Sequence, residues 1–261
     1  MLRLPGSDPT QPIDERLADL SGALWFHPRR RALLSDLQAL MAEVDDARLA
    51  AVRATFAGPM QRASAESRYK YLDVAYFTLQ KLKLAHALGL DRGPPRRVLD
   101  IGTGAGHFPF VLRHFGHEVV AIDIADPVYE GVAACLGVRR TLVRIEPEVP
   151  LPELGGRFDL VVAYATTFNV KRTGRGEPRR YWSLAEWQFL FDDLCGNQLR
   201  RPGRMFVQLN EERHDGWAGF RRLAYNRDLL TMAARNGAIV SRRRGTIETR
   251  LEASDGDRIM R

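Results

Sequence analysis

The sequence predicts an α/β fold: a mostly parallel sheet of seven strands, its last strand antiparallel, preceded by a helical N-terminal region. Up to residue 92, apolar residues recur every three or four positions, which is helical spacing. After residues 93–95 (Gly-Pro-Pro), short apolar runs alternate with helical segments, a pattern typical of parallel strands joined by crossovers. We therefore expect a helical cap or lid over residues 1–92 and a sheet domain over residues 93–261.

In the N-terminal region, the apolar spacing predicts helices over residues 30–44 and 46–56. A longer helix is expected from about residue 67 to residue 88, and Gly89 is placed to end it. The first sixty residues resemble no family, so their role stays open.

Beyond residue 95, the expected strands and helices follow one another in turn. Ser183 and Glu186 have the spacing of a capping box, which predicts the start of one helix. Two short runs near the C-terminus, 238–242 and 246–251, are joined by an Arg-Arg-Gly link and predict an antiparallel hairpin. The other predicted strands span residues 97–101, 119–124, 141–145, 158–163 and 205–209, and the predicted helices span residues 106–115, 127–136, 183–199 and 219–236.

Composition indicates an ordinary globular protein, because 45% of the 261 residues are hydrophobic and 27% are charged. No run approaches the roughly 18 apolar residues of a membrane span, and the N-terminus lacks the apolar core of a signal peptide. Two cysteines, Cys135 and Cys195, are too few for a disulfide framework. We expect a cytoplasmic protein with no membrane partner; a homodimer stays open.

The net charge of +7 raises the alternative of nucleic-acid binding. Only four of the 39 basic residues are lysines, and the arginines lie in short clusters along the whole chain. We interpret these clusters as solvated faces, because a binding stripe would require them to converge in space. Nucleic acid is thus a less favoured partner that the sequence does not exclude.

The most informative stretch runs from Val98 to Phe108 and contains Gly102, Gly104 and Gly106. These glycines stand where a strand turns into a helix, and their Gly-x-Gly-x-Gly spacing differs from the dinucleotide fingerprint Gly-x-Gly-x-x-Gly. Asp100, just before the turn, would repel a pyrophosphate but suits S-adenosylmethionine (SAM), which is cationic. The next predicted strand ends at Asp123, where a carboxylate can accept both ribose hydroxyls.

This stretch resembles the first motif of the class I SAM-dependent methyltransferases, which have a Rossmann-like fold. Residues 182–190, with Glu186 and Trp187, are similar to one bacterial subset of these enzymes. The similarity extends over about residues 67–251, with residues 156–163 and 199–206 similar to the fourth and fifth strands. It implies SAM as cofactor and S-adenosyl-L-homocysteine (SAH) as product. It places Asp100, Gly102, Thr103 and Gly104 at the methionine end, Asp123 at the ribose and Ile124 on the adenine. Residues 144–146, including Ile145, would lie beside the adenine edge, although the aspartate usual in the family is missing there. Gly106 and Ala163 complete the expected cofactor residues.

Two classes of methyl acceptor are less favoured because the sequence lacks the motifs that they require. The Asn/Asp-Pro-Pro-aromatic turn of base amino-methyltransferases is replaced by residues 163–167 (Ala-Tyr-Ala-Thr-Thr), and neither cysteine is placed as a nucleophile for cytosine C5 chemistry. No metal is expected. Substrate contacts should come from the carboxyl ends of strands four and five and from the first crossover helix. The candidates are Thr166, Asn169, Asn210 and His107 for binding, and Tyr164 with His214 for catalysis, His214 as a general base.

The sequence thus favours a methyltransferase that acts on oxygen or nitrogen of a small molecule, in bacterial secondary or cell-surface metabolism. Three alternatives stay open: an RNA methyltransferase, a protein methyltransferase and a non-catalytic SAM-binding protein. A specific base is not required, since alignment and exclusion of water suffice for an activated donor. The cap could supply Tyr69, Tyr71 or Trp25 to a substrate pocket, although we favour these aromatic residues as filling between cap and sheet.

Overall fold

A computed structural model describes residues 6–64, 67–171, 180–210 and 224–253. The chain divides into two compact units. The first comprises residues 1–95 and 103–142, and the second comprises residues 96–102 and 143–261. The predicted division at residue 92 into cap and sheet domain concerns roles rather than packing, and it stays a prediction.

The main sheet has seven strands in the order β3-β2-β1-β4-β7-β9-β8, which confirms the predicted fold class. Strands β1 and β4, β4 and β7, and β2 and β3 pair in parallel, whereas β9 runs antiparallel to both β7 and β8. The strands are β1 (Arg97–Ile101), β2 (Glu118–Asp123), β3 (Thr141–Leu142), β4 (Phe158–Thr166), β7 (Leu199–Leu209), β8 (Ile239–Ser241) and β9 (Thr246–Leu251).

The N-terminal part of the first unit consists of helices that pack through buried leucines such as Leu37 and Leu79. Helix α4 begins where the Asp73 side chain accepts from the Tyr76 backbone N–H, and it ends at Gly89 with φ of 70°, as predicted. A 3-10 turn, Arg68–Leu72, precedes it, so the predicted single helix from residue 67 is two elements. The helices are α1 (Ile13–Ala23), α2 (Arg30–Ala42), α3 (Asp46–Gln61) and α4 (Val74–Leu88).

Helix α1 was not predicted, and its buried face explains why. That face carries Ile13, Arg16 and Leu20, so a charged residue interrupts the apolar periodicity. Arg16 is buried because its Nε donates to the Asp73 carboxylate at 2.9 Å. A buried ion pair can therefore conceal a helix from a pattern of apolar residues.

The rest of the first unit contains α5 (His107–His114), β2, α6 (Pro127–Cys135) and β3. Asp126 begins α6 by accepting from the backbone N–H groups of Val128 and Tyr129, with Pro127 at the first helical position. Strand β3 pairs with the last two residues of β2, Ile122 and Asp123. It is shorter than the predicted strand over residues 141–145.

In the second unit, β4 lies between β1 and β7, and its residues Leu160 to Ala163 are fully buried. Helix α7 (Leu184–Asp193) begins at the predicted capping box of Ser183 and Glu186 and continues into one π-helical turn, Leu194–Gln198. Helix α8 spans Ala224–Arg235. The predicted C-terminal hairpin is confirmed as β8 and β9.

The second unit also contains a small antiparallel pair, β5 (Val170–Lys171) with β6 (Arg180–Tyr181), which was not predicted. Strands of two residues are too short to show an alternating pattern. Within the described residues, no helix is long and apolar enough to span a membrane.

Candidate functional site

In the first unit, the glycine turn holds a backbone that only glycine adopts easily. Gly104 has φ of 59° and Gly106 has φ of 84°, both in the left-handed region. A Cβ on Gly106 would meet Val138 at 3.1 Å, whereas a Cβ on Gly104 would meet nothing within 4 Å. Gly106 is therefore required for packing, while the space beside Gly104 is open to a ligand.

Asp123 at the end of β2 binds this turn. Its Oδ2 accepts from the Gly104 N–H at 2.6 Å and its Oδ1 accepts from the Ile124 N–H at 2.7 Å. A carboxylate has about four acceptor positions, so two stay available on a side chain that is 15% exposed. These two positions are what a pair of ribose hydroxyls would need.

Two neighbouring residues extend this arrangement. Ile124 is an exposed large apolar side chain, 40% accessible, directly after Asp123. Thr103 is buried, and its hydroxyl oxygen has no hydrogen-bond partner. An unsatisfied buried hydroxyl costs about 1–3 kcal/mol, so a polar ligand group at this position would be stabilising. The open space at Gly104, the free acceptor positions of Asp123 and the hydroxyl of Thr103 all fit SAM.

Arg140 is a further residue of this region, and sequence reasoning missed it. Its Nη2 donates to the Ile124 carbonyl at 2.8 Å and lies 3.9 Å from Oδ2 of Asp123. The side chain is only 3% exposed. The sequence signal was the pair Arg139-Arg140 directly before β3, which we interpreted as a solvated face; Arg139 is exposed but Arg140 is not.

His107, a predicted substrate residue, begins α5 and is buried in the first unit. Its Nε2 donates to the Tyr71 carbonyl at 3.2 Å, so Nδ1 of the neutral ring accepts from the Thr78 hydroxyl at 3.5 Å. Burial lowers the pKa of His107 to about 3. The ring packs among the aromatic side chains of Tyr71 and Phe77. Its role in substrate binding stays a prediction.

Of the cap aromatics, Tyr71 also packs edge-on against Tyr129 with ring centroids 5.4 Å apart. Tyr69 lies 5.9 Å from Phe56. These contacts agree with a packing role. Trp25 is 63% exposed, with Arg30 over its ring, so the expectation that it fills an internal seam is wrong.

In the second unit, Gly102 at the end of β1 has φ of 69° and lies against Thr166. A Cβ at this position would overlap Cγ2 of Thr166, so the glycine is required by close packing as well as by its backbone. Asp100 is 3% exposed and pairs in register with Val162. Ala163 is buried beside Ile101, and Ile145 is half-buried.

The carboxyl end of β4 is irregular where substrate residues are expected. The pairing of β4 with β7 shifts register between Tyr164 and Thr166, and Ala165 has φ of 54°, rare for a residue with a side chain. Non-glycine residues in this region store strain of about 1–3 kcal/mol and cluster at functional sites. The bulge turns Thr166 onto Gly102.

Tyr164 and Asn169 occupy the same end of β4. Tyr164 is half-buried and hydrogen bonds with Gln208, and burial raises its pKa. Asn169 is 5% exposed, and its carbonyl accepts from the Trp182 N–H. Asn210 follows β7 and is half-buried. His214 lies outside the described residues.

Neither cysteine has the character of a nucleophile. Cys135 is buried, donates to the Gly131 carbonyl, and has its pKa raised by burial to about 11. Burial also raises the pKa of Cys195. Within the part of the chain that the structure describes, no cluster of His, Cys, Asp and Glu side chains could hold a metal ion.

Comparison with known proteins agrees with this geometry. Residues 99–181 match a family model described as a methyltransferase domain. A comparison with curated protein sequences found no match.

Similar solved structures include a methyltransferase, a methylase and a third protein, DesVI. The glycopeptide N-methyltransferase MtfA is 20% identical, with 53% of this chain and 54% of that chain covered and a TM-score of 0.36. The ribosomal protein L11 methylase from Lactobacillus delbrueckii subsp. bulgaricus is 21% identical, with coverages of 67% and 80% and a TM-score of 0.39. DesVI of Streptomyces venezuelae is 12% identical, with coverages of 68% and 92% and a TM-score of 0.45. The chain thus spans about half the length of MtfA, and these likenesses carry no activity over to it.

The domain match covers the glycine turn, the carboxylate after β2 and all of β4. These elements lie in a sheet of seven strands whose last strand is antiparallel. Residues 99–181 thus form a methyltransferase domain.

Proposed function

We propose that this enzyme transfers the methyl group of SAM to oxygen or nitrogen of a small-molecule acceptor and releases SAH. The proposal of a small-molecule acceptor rests on the hydrogen-bond partners of the arginine side chains. Many of their guanidinium groups donate to the protein's own backbone carbonyls, as those of Arg53, Arg97, Arg113 and Arg157 do. Arg16 and Arg204 pair with carboxylates. Guanidinium N–H groups engaged in this way are less available to donate to phosphates, which supports a small acceptor over RNA.

For the cofactor, we propose that Asp123 accepts the ribose hydroxyls and that Ile124 packs on the adenine. Thr103 and Gly104 would approach the ligand through a hydroxyl and an open backbone. The other residues that the resemblance assigns to SAM stay predictions: Asp100, Gly102, Gly106, Ile145 and Ala163.

SAM, when bound, supplies a methyl group activated by its sulfonium, so the chain has mainly to align the acceptor and exclude water. Tyr164 suits this task as a hydrogen-bond partner. A phenol is protonated at neutral pH and burial raises its pKa further, which favours donation to the acceptor over proton abstraction. Thr166, Asn169 and Asn210 are proposed to orient the acceptor, and His214 stays the predicted base.

The cofactor assignment is tested by thermal unfolding. A ligand that binds the folded state at a hundred times its dissociation constant stabilises it by about 2.7 kcal/mol. SAM and SAH should both raise the melting temperature, and NAD should not. A melting temperature that millimolar SAM leaves unchanged would contradict the assignment.

The acceptor class is tested with methyl-labelled SAM. The enzyme is incubated with a panel of small molecules that carry free hydroxyls or amines, with structured RNA, and with ribosomal protein. Label is expected only in the small-molecule fraction, and Tyr164→Phe should lower that transfer without weakening SAM binding. Label in RNA or protein would support the alternative methyltransferases, and SAM binding with no transfer to any acceptor would support a non-catalytic protein.

A further inference from the structure

Arg140 lies beside the proposed ribose carboxylate and is buried to an unusual degree for an arginine. Its side chain is 3% exposed, and two of its nitrogens, Nε and Nη1, are buried with no hydrogen-bond partner. The guanidinium lies 5.7 Å from the centre of the Tyr129 ring. A buried cation costs several kcal/mol unless nearby groups compensate it, so its neighbours must balance the charge.

The nearby groups identify Asp123 as the compensating charge. Asp126, the other carboxylate beside Tyr129, is paired with Arg68 at 2.7 Å. Burial raises the pKa of the Tyr129 phenol, so this ring presents a neutral face and only its quadrupole to the cation. What remains is the Ile124 carbonyl, which accepts from Nη2 at 2.8 Å, and the Asp123 carboxylate at 3.9 Å.

Arg140 therefore joins the two residues on either side of one peptide bond. It holds the carbonyl of Ile124 and faces the carboxylate of Asp123, while the Gly104 and Ile124 N–H groups bind that carboxylate from other directions. Two hydrogen bonds and one nearby cation thus fix the orientation of a side chain whose two remaining acceptor positions are open.

We propose that Arg140 is a positioning residue for the cofactor: it orients the Asp123 carboxylate so that both of its open positions meet the ribose hydroxyls. This inference rests on the proposed placement of the ribose at Asp123. It assigns no direct ligand contact to Arg140, whose Nε and Nη1 are covered by protein.

A positioning role and a merely structural role predict different specificities. If Arg140 only stabilises the fold, its loss weakens every adenosine ligand by the same factor. If it orients Asp123, its loss selectively removes the benefit of the ribose hydroxyls. Ligands that lack one hydroxyl then lose less affinity than SAH does.

The experiment measures dissociation constants by calorimetry for SAH, 2′-deoxy-SAH and 3′-deoxy-SAH. Arg140→Met should weaken SAH binding by about tenfold, the effect of about one charge-assisted hydrogen bond, and the deoxy analogues by clearly smaller factors. Arg140→Lys, which keeps the charge, should restore part of the hydroxyl preference. Arg139→Met is the matched control, because it removes the adjacent, exposed arginine and should bind all three ligands as wild type does.

Equal weakening of all three ligands in Arg140→Met, or no weakening at all, would overturn the proposal. If Arg140→Met does not fold, the same comparison is made with Arg140→Lys, which must show reduced hydroxyl preference relative to wild type. Asp123→Ala is measured alongside. If it retains full SAH affinity, the ribose placement itself is wrong; if it loses affinity while Arg140→Met does not, only the role of Arg140 is wrong.

Discussion

Asp73 and Asp123 are two carboxylates of the same compact unit with opposite surroundings. Asp73 accepts from the backbone N–H groups of Asp8 and Tyr76 and forms two contacts of 2.9 Å with Arg16; its side chain is 1% exposed. Asp123 also accepts from two backbone N–H groups, but its nearest guanidinium is 3.9 Å away and its side chain is 15% exposed. Four protein contacts reach the Asp73 carboxylate, whereas two hydrogen bonds reach that of Asp123.

The difference separates a carboxylate that the protein itself satisfies from one that we propose to bind the ribose. A buried carboxylate that the protein satisfies completely can only stabilise the fold. One that keeps acceptor capacity at a strand end costs stability unless a ligand or water completes it. Mutating the first kind should therefore change the free energy of unfolding, and mutating the second should change affinity.

The largest effect is expected for Asp73→Ala. The substitution leaves Arg16, itself 3% exposed, as an uncompensated buried cation and removes the side-chain cap of α4. Breaking a buried pair in this way costs about 3–5 kcal/mol. Urea unfolding should show this loss, whereas Asp14→Ala, an exposed acid of α1, should change stability by about 1 kcal/mol or less. A stability loss no larger than that of Asp14→Ala would show that Asp73 does not stabilise the fold through its protein contacts.

The next prediction compares the stability losses that alanine causes at two glycines of the turn, Gly102 and Gly104. Gly102→Ala would drive a Cβ into Thr166 and strain a backbone with φ of 69°, which together should cost about 2–4 kcal/mol of stability. Gly104→Ala meets open space, so only the backbone strain of about 1–2 kcal/mol applies. The Gly104 variant should instead lose SAM affinity, because its Cβ occupies the space proposed for the ligand.

Chemical denaturation and SAM titration of both variants test this contrast. Gly102→Ala combined with Thr166→Gly should recover part of the lost stability, since it removes the side chain that the new Cβ meets. Equal stability of Gly102→Ala and Gly104→Ala would show that Thr166 moves aside easily and that packing does not require a glycine at position 102.

Asp123→Ala should have a smaller effect, and we expect it on the affinity for SAM rather than on stability. Loss of two charge-assisted bonds to the ribose should weaken SAM binding by at least about 2 kcal/mol, roughly thirtyfold in dissociation constant. Asp123→Asn should fall between this variant and wild type, because it keeps the shape but loses the charge. Calorimetry decides it, with Glu130→Ala on the exposed side of α6 as control. Wild-type affinity in a folded Asp123→Ala would remove the ribose from this position.

Asp73 and Asp123 also differ in how much of their surroundings the sequence predicts. Asp123 could be found because it ends an apolar strand that follows a glycine turn, a pattern contained in about 25 residues. Two partners of Asp73, Arg16 and Asp8, lie 57 and 65 residues away, and nothing local marks them. Arg140 was misread for the same reason: its burial is set by Tyr129 and the end of β2. Local motifs predict the cofactor half, whereas long-range packing decides the rest.

The smallest effect, counted per pH unit, is the pH dependence of stability that His107 should impose. Its pKa in the folded protein is lowered by burial to about 3, below the value near 6.5 of an exposed imidazole. Between these values the unfolded chain binds a proton that the folded protein does not, so stability falls as pH falls. The slope from this one group approaches about 1.4 kcal/mol per pH unit. His107→Gln should therefore unfold with a flatter pH dependence than wild type between pH 6.5 and 4, as urea unfolding at a series of pH values would show. Parallel curves for His107→Gln and wild type would mean that the ring takes up its proton in the folded state. Its two protein contacts would then be open to water. His107 would resemble Asp123, which keeps hydrogen-bonding capacity, rather than Asp73, which the protein satisfies.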